Sequence, residues 1–221
     1  MSTHHRWWRQ TRVLAAAGLV LGLGSLATVA TFQDSTWANG QFASIRGGIE
    51  GSTTSTNGVN GTWSNHFTSG SAAVMEMNPS TGLVPGATVY SKFALRTSSG
   101  VTNPATVTMG TGIVTLNGSS TPTMVDAVRV RAYMSPNHTC NSTTVTQTGG
   151  VSYLRGTAMT YTTAGAVITG PTITLLAGTD TTAGPGRTVC FEFSLANNAT
   201  ADAANGADFS VTWPFTTIIG T

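Results

Sequence analysis

The sequence predicts an all-β protein, an antiparallel β-sandwich of jelly-roll type behind an N-terminal signal helix. Three observations carry this. Charged residues are 8% of the 221, against roughly 25% in ordinary globular chains. Threonine is the commonest residue, with 41 copies beside 26 glycines. Segments of strict apolar–polar alternation recur between Asn-Gly and Pro-Gly turn signals. Glu, Lys and Gln together number eight, so a helical bundle or coiled coil lacks the surface it needs. With 40% apolar residues the chain is no charge-driven disordered tail. With no basic stripe it is no nucleic-acid binder.

The first element is an export signal, residues 1–30. Residues 1–12 (MSTHHRWWRQTR) carry Arg6, Arg9 and Arg12 and no acid, and residues 13–31 carry no charge. A basic head before an apolar run is a secretory signal. Gly18, Gly22 and Gly24 weaken the run as a permanent helix, although an uncleaved anchor is the alternative for its length. Thr28 and Ala30 put small residues at the −3 and −1 positions, so cleavage is expected between Ala30 and Thr31. Trp7-Trp8 separates Arg6 from Arg9, which excludes a twin-arginine signal and leaves a Sec route. Cleavage removes three of ten basic residues and none of eight acidic ones, leaving a net charge of −1. The basic pI therefore belongs to the leader and implies no anionic partner.

Residues 31–45 read as an N-terminal arm, and 46–221 as one β-domain without a linker or repeat. In residues 87–96, Val89, Phe93 and Leu95 share a face opposite Tyr90, Lys92 and Arg96. In 126–134, Val128, Val130, Ala132 and Met134 oppose Arg129, Arg131 and Tyr133. In 188–195, Val189, Phe191, Phe193 and Leu195 oppose Cys190, Glu192 and Ser194. In 208–215, Phe209, Val211, Trp213 and Phe215 alternate with polar residues and Pro214. This is the period of half-buried antiparallel strands. Asn-Gly steps at Asn39, Asn57, Asn60, Asn117 and Asn205 are turn candidates, as are Pro85-Gly86 and Gly184-Pro185-Gly186. No helix is expected beyond the leader. Pro214 cannot donate to a ladder, so the last strand is expected at an edge or bulged.

Cys140 and Cys190 are the only cysteines, and an even pair in an exported chain reads as a disulfide. Cys190 falls on the polar side of its strand, so the bridge should tie a loop to the outside of a sheet. Catalytic, cofactor and metal residues are expected to be none. His66 and His138 alone follow the leader, and no Gly-x-Ser-x-Gly or His-Glu-x-x-His occurs. Glu50, Glu76 and Glu192 make no cluster with the aspartates. Pairing His66 with one of 20 serines carries no weight on paper. Among the aromatics, Trp213 reads as core, and Trp63 is a candidate platform for a sugar.

Residues 26–44, LATVATFQDSTWANGQFAS, resemble the junction of exported Gram-positive proteins with SipW-type signal peptides. These form the TasA/camelysin group and its actinobacterial relatives, the "alternate signal-mediated exported protein" branch. The shared features are Thr31-Phe32-Gln33-Asp34 after the cleavage point and the Trp-Ala-x-Gly-x-Phe segment from Trp37 to Phe42. Leu83-Val-Pro-Gly, Phe93-Ala-Leu-Arg96 and Val211-Thr-Trp-Pro-Phe215 are also similar. The resemblance implies a jelly-roll sandwich, cleavage by a SipW-like signal peptidase, and a surface or biofilm-matrix role, often as a fibre subunit. It further implies an assembly arm that inserts as a strand into the next subunit, here anchored by Phe32, Trp37 and Phe42. Two cysteines and a longer Thr-rich middle depart from the group. Its metalloprotease label does not carry over without a metal-binding motif.

The function expected is thus an exported, non-enzymatic structural protein of the cell surface or matrix. Its partners would be the signal peptidase and copies of itself or related subunits, with no nucleic acid, and with membrane contact only through the leader. The alternatives are a secreted β-sandwich module binding carbohydrate or a surface partner, or a camelysin-like metalloprotease. No sorting signal or second span stands at residues 216–221, so retention at a surface would need association with other chains.

Overall fold

The alternating segments pair into two sheets. The structure, a computed structural model, describes residues 37–43, 48–66, 69–75, 83–118, 120–145, 151–168, 170–195 and 208–220; the leader, the Ala30–Thr31 junction and Phe32 lie outside them. Twelve strands are β1 (Trp37–Ala43), β2 (Ile49–Ser52), β3 (Ala73–Met75), β4 (Thr88–Thr97), β5 (Ala105–Met109), β6 (Ile113–Asn117), β7 (Val128–Ser135), β8 (Tyr153–Arg155), β9 (Thr162–Thr163), β10 (Ile173–Leu175), β11 (Arg187–Leu195) and β12 (Asp208–Ile219). The first sheet runs β10-β5-β12-β1-β3, with β6 beside β12 in line with β5. The second runs β2-β4-β11-β7-β8, with β9 also on β7. Among the described residues every pairing is antiparallel except β1 with β12.

The core lies where the apolar sides of the two sheets meet. Phe191 of β11 stands 4.8 Å from Trp213 of β12, and Phe93 of β4 stands 5.9 Å from Phe215, ring centre to ring centre. Val89, Phe93, Leu95, Val189, Phe191, Phe193, Leu195, Phe209, Val211, Trp213 and Phe215 are all buried. These are the residues that the period-2 pattern assigns to one face, and their burial is the main stabilising term.

The punctuation falls where left-handed backbone is needed. Gly58, Gly61, Gly86 and Gly118 all have positive φ, the conformation that Asn-Gly and Pro-Gly turns require. Asn39-Gly40 differs: it lies inside β1. Asn205 is outside the described residues.

Three expectations are corrected. Among the described residues, two short helices and a 3₁₀ turn occur: α1 (Pro122–Ala127), α2 (Ser142–Val145) and Ser69–Ser71. Pro122 opens α1 with its φ already helical, and the Thr121 carbonyl accepts from the amides of Met124 and Val125 at 3.1 and 3.3 Å. Asp126 and Ala127, expected to begin a strand, therefore close α1, and the strand starts at Val128. The last strand, expected at an edge or bulged at Pro214, is not an edge: it is central, with β5 and β6 on one side and β1 on the other. Pro214 is tolerated because β5 ends at Met109 and β6 begins at Ile113, leaving a break beside it. At that break the Gly110 amide donates to the Pro214 carbonyl at 2.7 Å. The missing N–H of Pro214 points the same way, into a ladder already interrupted.

Candidate functional site

The expected arm is a strand of its own domain. Trp37 to Ala43 run parallel to β12, with Trp37 at the register of Ser210 and Phe42 at that of Phe215. On its other side β1 is antiparallel to β3, from Ala38 opposite Met75 to Gly40 opposite Ala73. No other described strand joins β12 to β3, so β1 fills a slot between them. Trp37 and Phe42 thus sit at the two ends of an inserted strand held by main-chain ladders on both sides.

The second candidate feature is the outer side of the second sheet. Cys140 and Cys190 form a disulfide with Cα atoms 5.4 Å apart. As the alternation of β11 requires, it ties the loop after β7 to the outside of the sheet. Cys190 is fully buried there yet is not part of the apolar core. His138 caps the same loop in a left-handed conformation, φ 60°, and its Nδ1 lies 2.8 Å from Thr188 Oγ1. Burial, and then the charge of Arg187, hold the His138 imidazole below its ordinary value.

One row along, Glu192 and Arg131 occupy paired positions of β11 and β7, both buried. Arg131 Nε donates to Glu192 Oε2 at 2.8 Å and Nη2 donates to Oε1 at 2.9 Å. The Tyr161 hydroxyl also donates to Oε1, and its ring lies under the guanidinium, 4.5 Å away. Burial alone would lower the Arg131 guanidinium, but the bond and charge of Glu192 more than offset it and hold it above its ordinary value. Burial, then contact with Glu192, raises the Tyr161 phenol. Tyr90, which faces Glu192 from β4, and Tyr133 are raised by burial first and the Glu192 charge second. All four tyrosines of the chain, Tyr153 included, gather here: the rings of Tyr133 and Tyr153 lie 5.8 Å apart, tilted by 56°. Sequence reasoning missed this cluster. Its signal was the placing of Arg131 and Glu192 on the faces of two alternating strands that oppose the apolar ones.

Trp63 is packed, not presented. The Arg96 guanidinium lies 4.1 Å over its ring, its Nε1 donates to the Val59 carbonyl at 3.0 Å, and a Cβ on Gly186 would come within 2.9 Å of its Cη2. Arg96 is itself held by Glu50 at 2.7 Å. The ring therefore pins the loop of residues 52–64 over the sheet, and the sugar platform considered for it loses a ring face. His66, given no catalytic weight, does find a serine: Ser64 Oγ is 3.0 Å from Nε2, and Nδ1 is 2.7 Å from the Ser71 carbonyl. A carbonyl only accepts, so Nδ1 carries the proton and Nε2 accepts from Ser64. The third member is a main-chain carbonyl, not a carboxylate, so the geometry orients a hydroxyl without the charge that stabilises an imidazolium.

Among the described residues, no three of His, Cys, Asp and Glu come together as metal ligands, and no helix is long and apolar enough to cross a membrane. No protein-family model matches the chain, and no curated protein matches it.

Proposed function

We propose that the chain is an exported, non-enzymatic structural protein of the cell surface or matrix. Its two sheets are read as a jelly-roll-type sandwich, and its subunits as assembling by exchange of β1. The observation that carries this reading is the place of β1. It comes first in the domain and enters parallel to β12 in a fold otherwise antiparallel. A parallel strand cannot be a hairpin partner of its neighbour and arrives as a separate segment. The same slot in a second copy accepts the same strand, with affinity from main-chain hydrogen bonds and register from alternate side chains. The Cys140–Cys190 bridge suits an oxidising compartment.

The test begins with the N-terminus of the secreted protein, expected at Thr31. Concentrated protein should then form filaments in negative stain, and a variant lacking residues 31–42 should not. An arm lying outside the domain could be deleted with the domain left folded. The central position of β1 revises this: its loss opens the first sheet between β12 and β3, so the variant should regain stability when a peptide of residues 31–42 is added. Monomers under every condition would overturn the assembly reading.

A further inference from the structure

The strands segregate their charge. Those of the second sheet carry Glu50, Lys92, Arg96, Arg129, Arg131, Arg155, Arg187 and Glu192, whereas those of the first carry a single charged residue, Asp208, at the start of β12. Loops lie over the outer side of the second sheet, as the Trp63 and disulfide contacts show. The outer side of the first sheet is different. On β12 the buried Val211, Trp213 and Phe215 alternate with Thr212, Pro214 and Thr216, and only the latter set reaches solvent. Register places exposed Thr108 beside Thr216 and Thr106 beside Ile218, and Ile113 beside Thr212. Ile113 and Ile218 are 55% and 59% exposed.

From these placements we infer that the outer face of the first sheet is a lateral contact between two copies of this chain. The strands of this sheet, at ~3.4 Å per residue and ~4.8 Å between neighbours, present on the order of 600 Å². Two copies then bury roughly 1,200 Å², the lower bound for a specific stable interface. A face whose strands carry one charge, Asp208 at the exposed end of β12, meets its own image with little like-charge repulsion and without desolvating an ion at its centre. Threonine is stiff at χ1, so little side-chain freedom is lost on contact. A twofold axis brings hydroxyl ranks and methyls opposite their equivalents, and two such faces pack about 10 Å apart. A polysaccharide fits less well, because the outward positions of β5, β6, β10 and β12 hold no aromatic ring and register places a single one, Trp37, beside Ser210 at one end of β1. The inference rests on the proposed self-assembly for its partner but uses a surface other than the strand slot.

The experiment is sedimentation of the secreted protein over a concentration series, with filaments scored separately in negative stain. Wild type should show a reversible dimer. Thr108→Lys/Thr216→Lys, which puts two cations side by side on the face, should weaken it more than about tenfold. An equimolar mixture with Thr108→Glu/Thr216→Glu should re-form dimers. Met159→Lys, at a position 91% exposed off this sheet, should change nothing. Should the double variants fail to fold by circular dichroism, Ile113→Lys alone takes their place with the same expectation. A wild type that stays monomeric at its highest soluble concentration overturns the inference, as does a lysine variant that dimerises like wild type. So does a monomeric wild type that co-sediments with insoluble polysaccharide. Filaments without lateral pairs would sink this contact and leave the strand slot standing; lateral pairs without filaments would do the reverse.

Discussion

Replacing Arg131 by Met should cost about 3 kcal/mol, and replacing Glu192 by Leu in the same chain should recover most of it. The side chains of Arg131 and Glu192 are 9% and 3% exposed and 2.8 Å apart, so water screens them little. Arg131→Met removes two charge-assisted hydrogen bonds and strands a buried carboxylate, a loss of about 3–5 kcal/mol. The Tyr161 hydroxyl still donates to Glu192, which places the loss at the lower end. Arg131 Nη1 also donates to the Ala158 carbonyl at 2.7 Å, so the turn before β9 should loosen too. In the double variant no charge is left unpaired, and apolar side chains of similar volume make the exchange neutral to within about 1 kcal/mol. The coupling is thus about 2–3 kcal/mol, read from urea midpoints at constant slope for the four proteins. In melting temperature the single variant should drop by roughly 6–12 °C. An Arg131→Met loss below about 1 kcal/mol, or a double variant that simply adds the two losses, would refute a dry, coupled pair.

Other outcomes follow from the same face. Reducing Cys140–Cys190, or replacing both by Ser, should cost about 4 kcal/mol from the loop of sequence separation 50; a midpoint unmoved by reductant would contradict that. Tyr133→Phe should be neutral or stabilising by about 1 kcal/mol, because its hydroxyl is buried without a partner. Tyr90, Tyr133 and Tyr161 are held above their ordinary value of 10.0 in the fold. Their stabilisation is complete below pH 10, where the unfolded tyrosines keep their protons, and is lost as pH rises above it. Arg155, buried without a carboxylate and lowered from 12.5 to about 10, acts in the opposite sense above pH 10, as one group against three. Stability should therefore fall above pH 10, and less steeply in Tyr133→Phe, by up to about 1.4 kcal/mol per pH unit. Trp63→Ala should lower stability by about 1–2 kcal/mol through the released loop and leave any polysaccharide retention unchanged; retention lost in this variant would restore the binding-module reading.

Alternation made the inner faces of β4, β7, β11 and β12 legible, because burying one side of a strand is the constraint that period 2 records. It did not reveal that the other side of β11 is buried as well. Thr188, Cys190 and Glu192 are covered by segments distant in sequence, and nothing local encodes their arrival. Pro214 was read as the mark of an edge or a bulge because proline reports a missing donor and not where the ladder breaks. The break is set by Gly110 and Gly112, between β5 and β6: a Cβ on Gly112 would lie 2.6 Å from Trp213 Nε1. The Ser64–His66 pair was beyond reach for a different reason. A chain with 20 serines offers too many partners for one histidine to be informative.

The position of β1 also bears on when assembly would start. Five residues, 44–48, join β1 to β2 of the same domain and span at most about 17 Å when extended. The local concentration of a strand joined to its slot by so short a segment is in the millimolar range. Occupation in cis is therefore the expected state of a single chain, and exchange depends on how often β1 leaves β12 and β3. That is a local opening, governed by two short ladders and not by the aromatic core. Subunit concentration outside the cell and opening of β1 would then set the rate of assembly together. A variant that stiffens β1 at an outward position, Asn39→Val opposite the exposed Val74, should slow filament growth in proportion to the loss of amide exchange along β1. Unchanged growth beside slowed exchange would show that filaments form by some other contact.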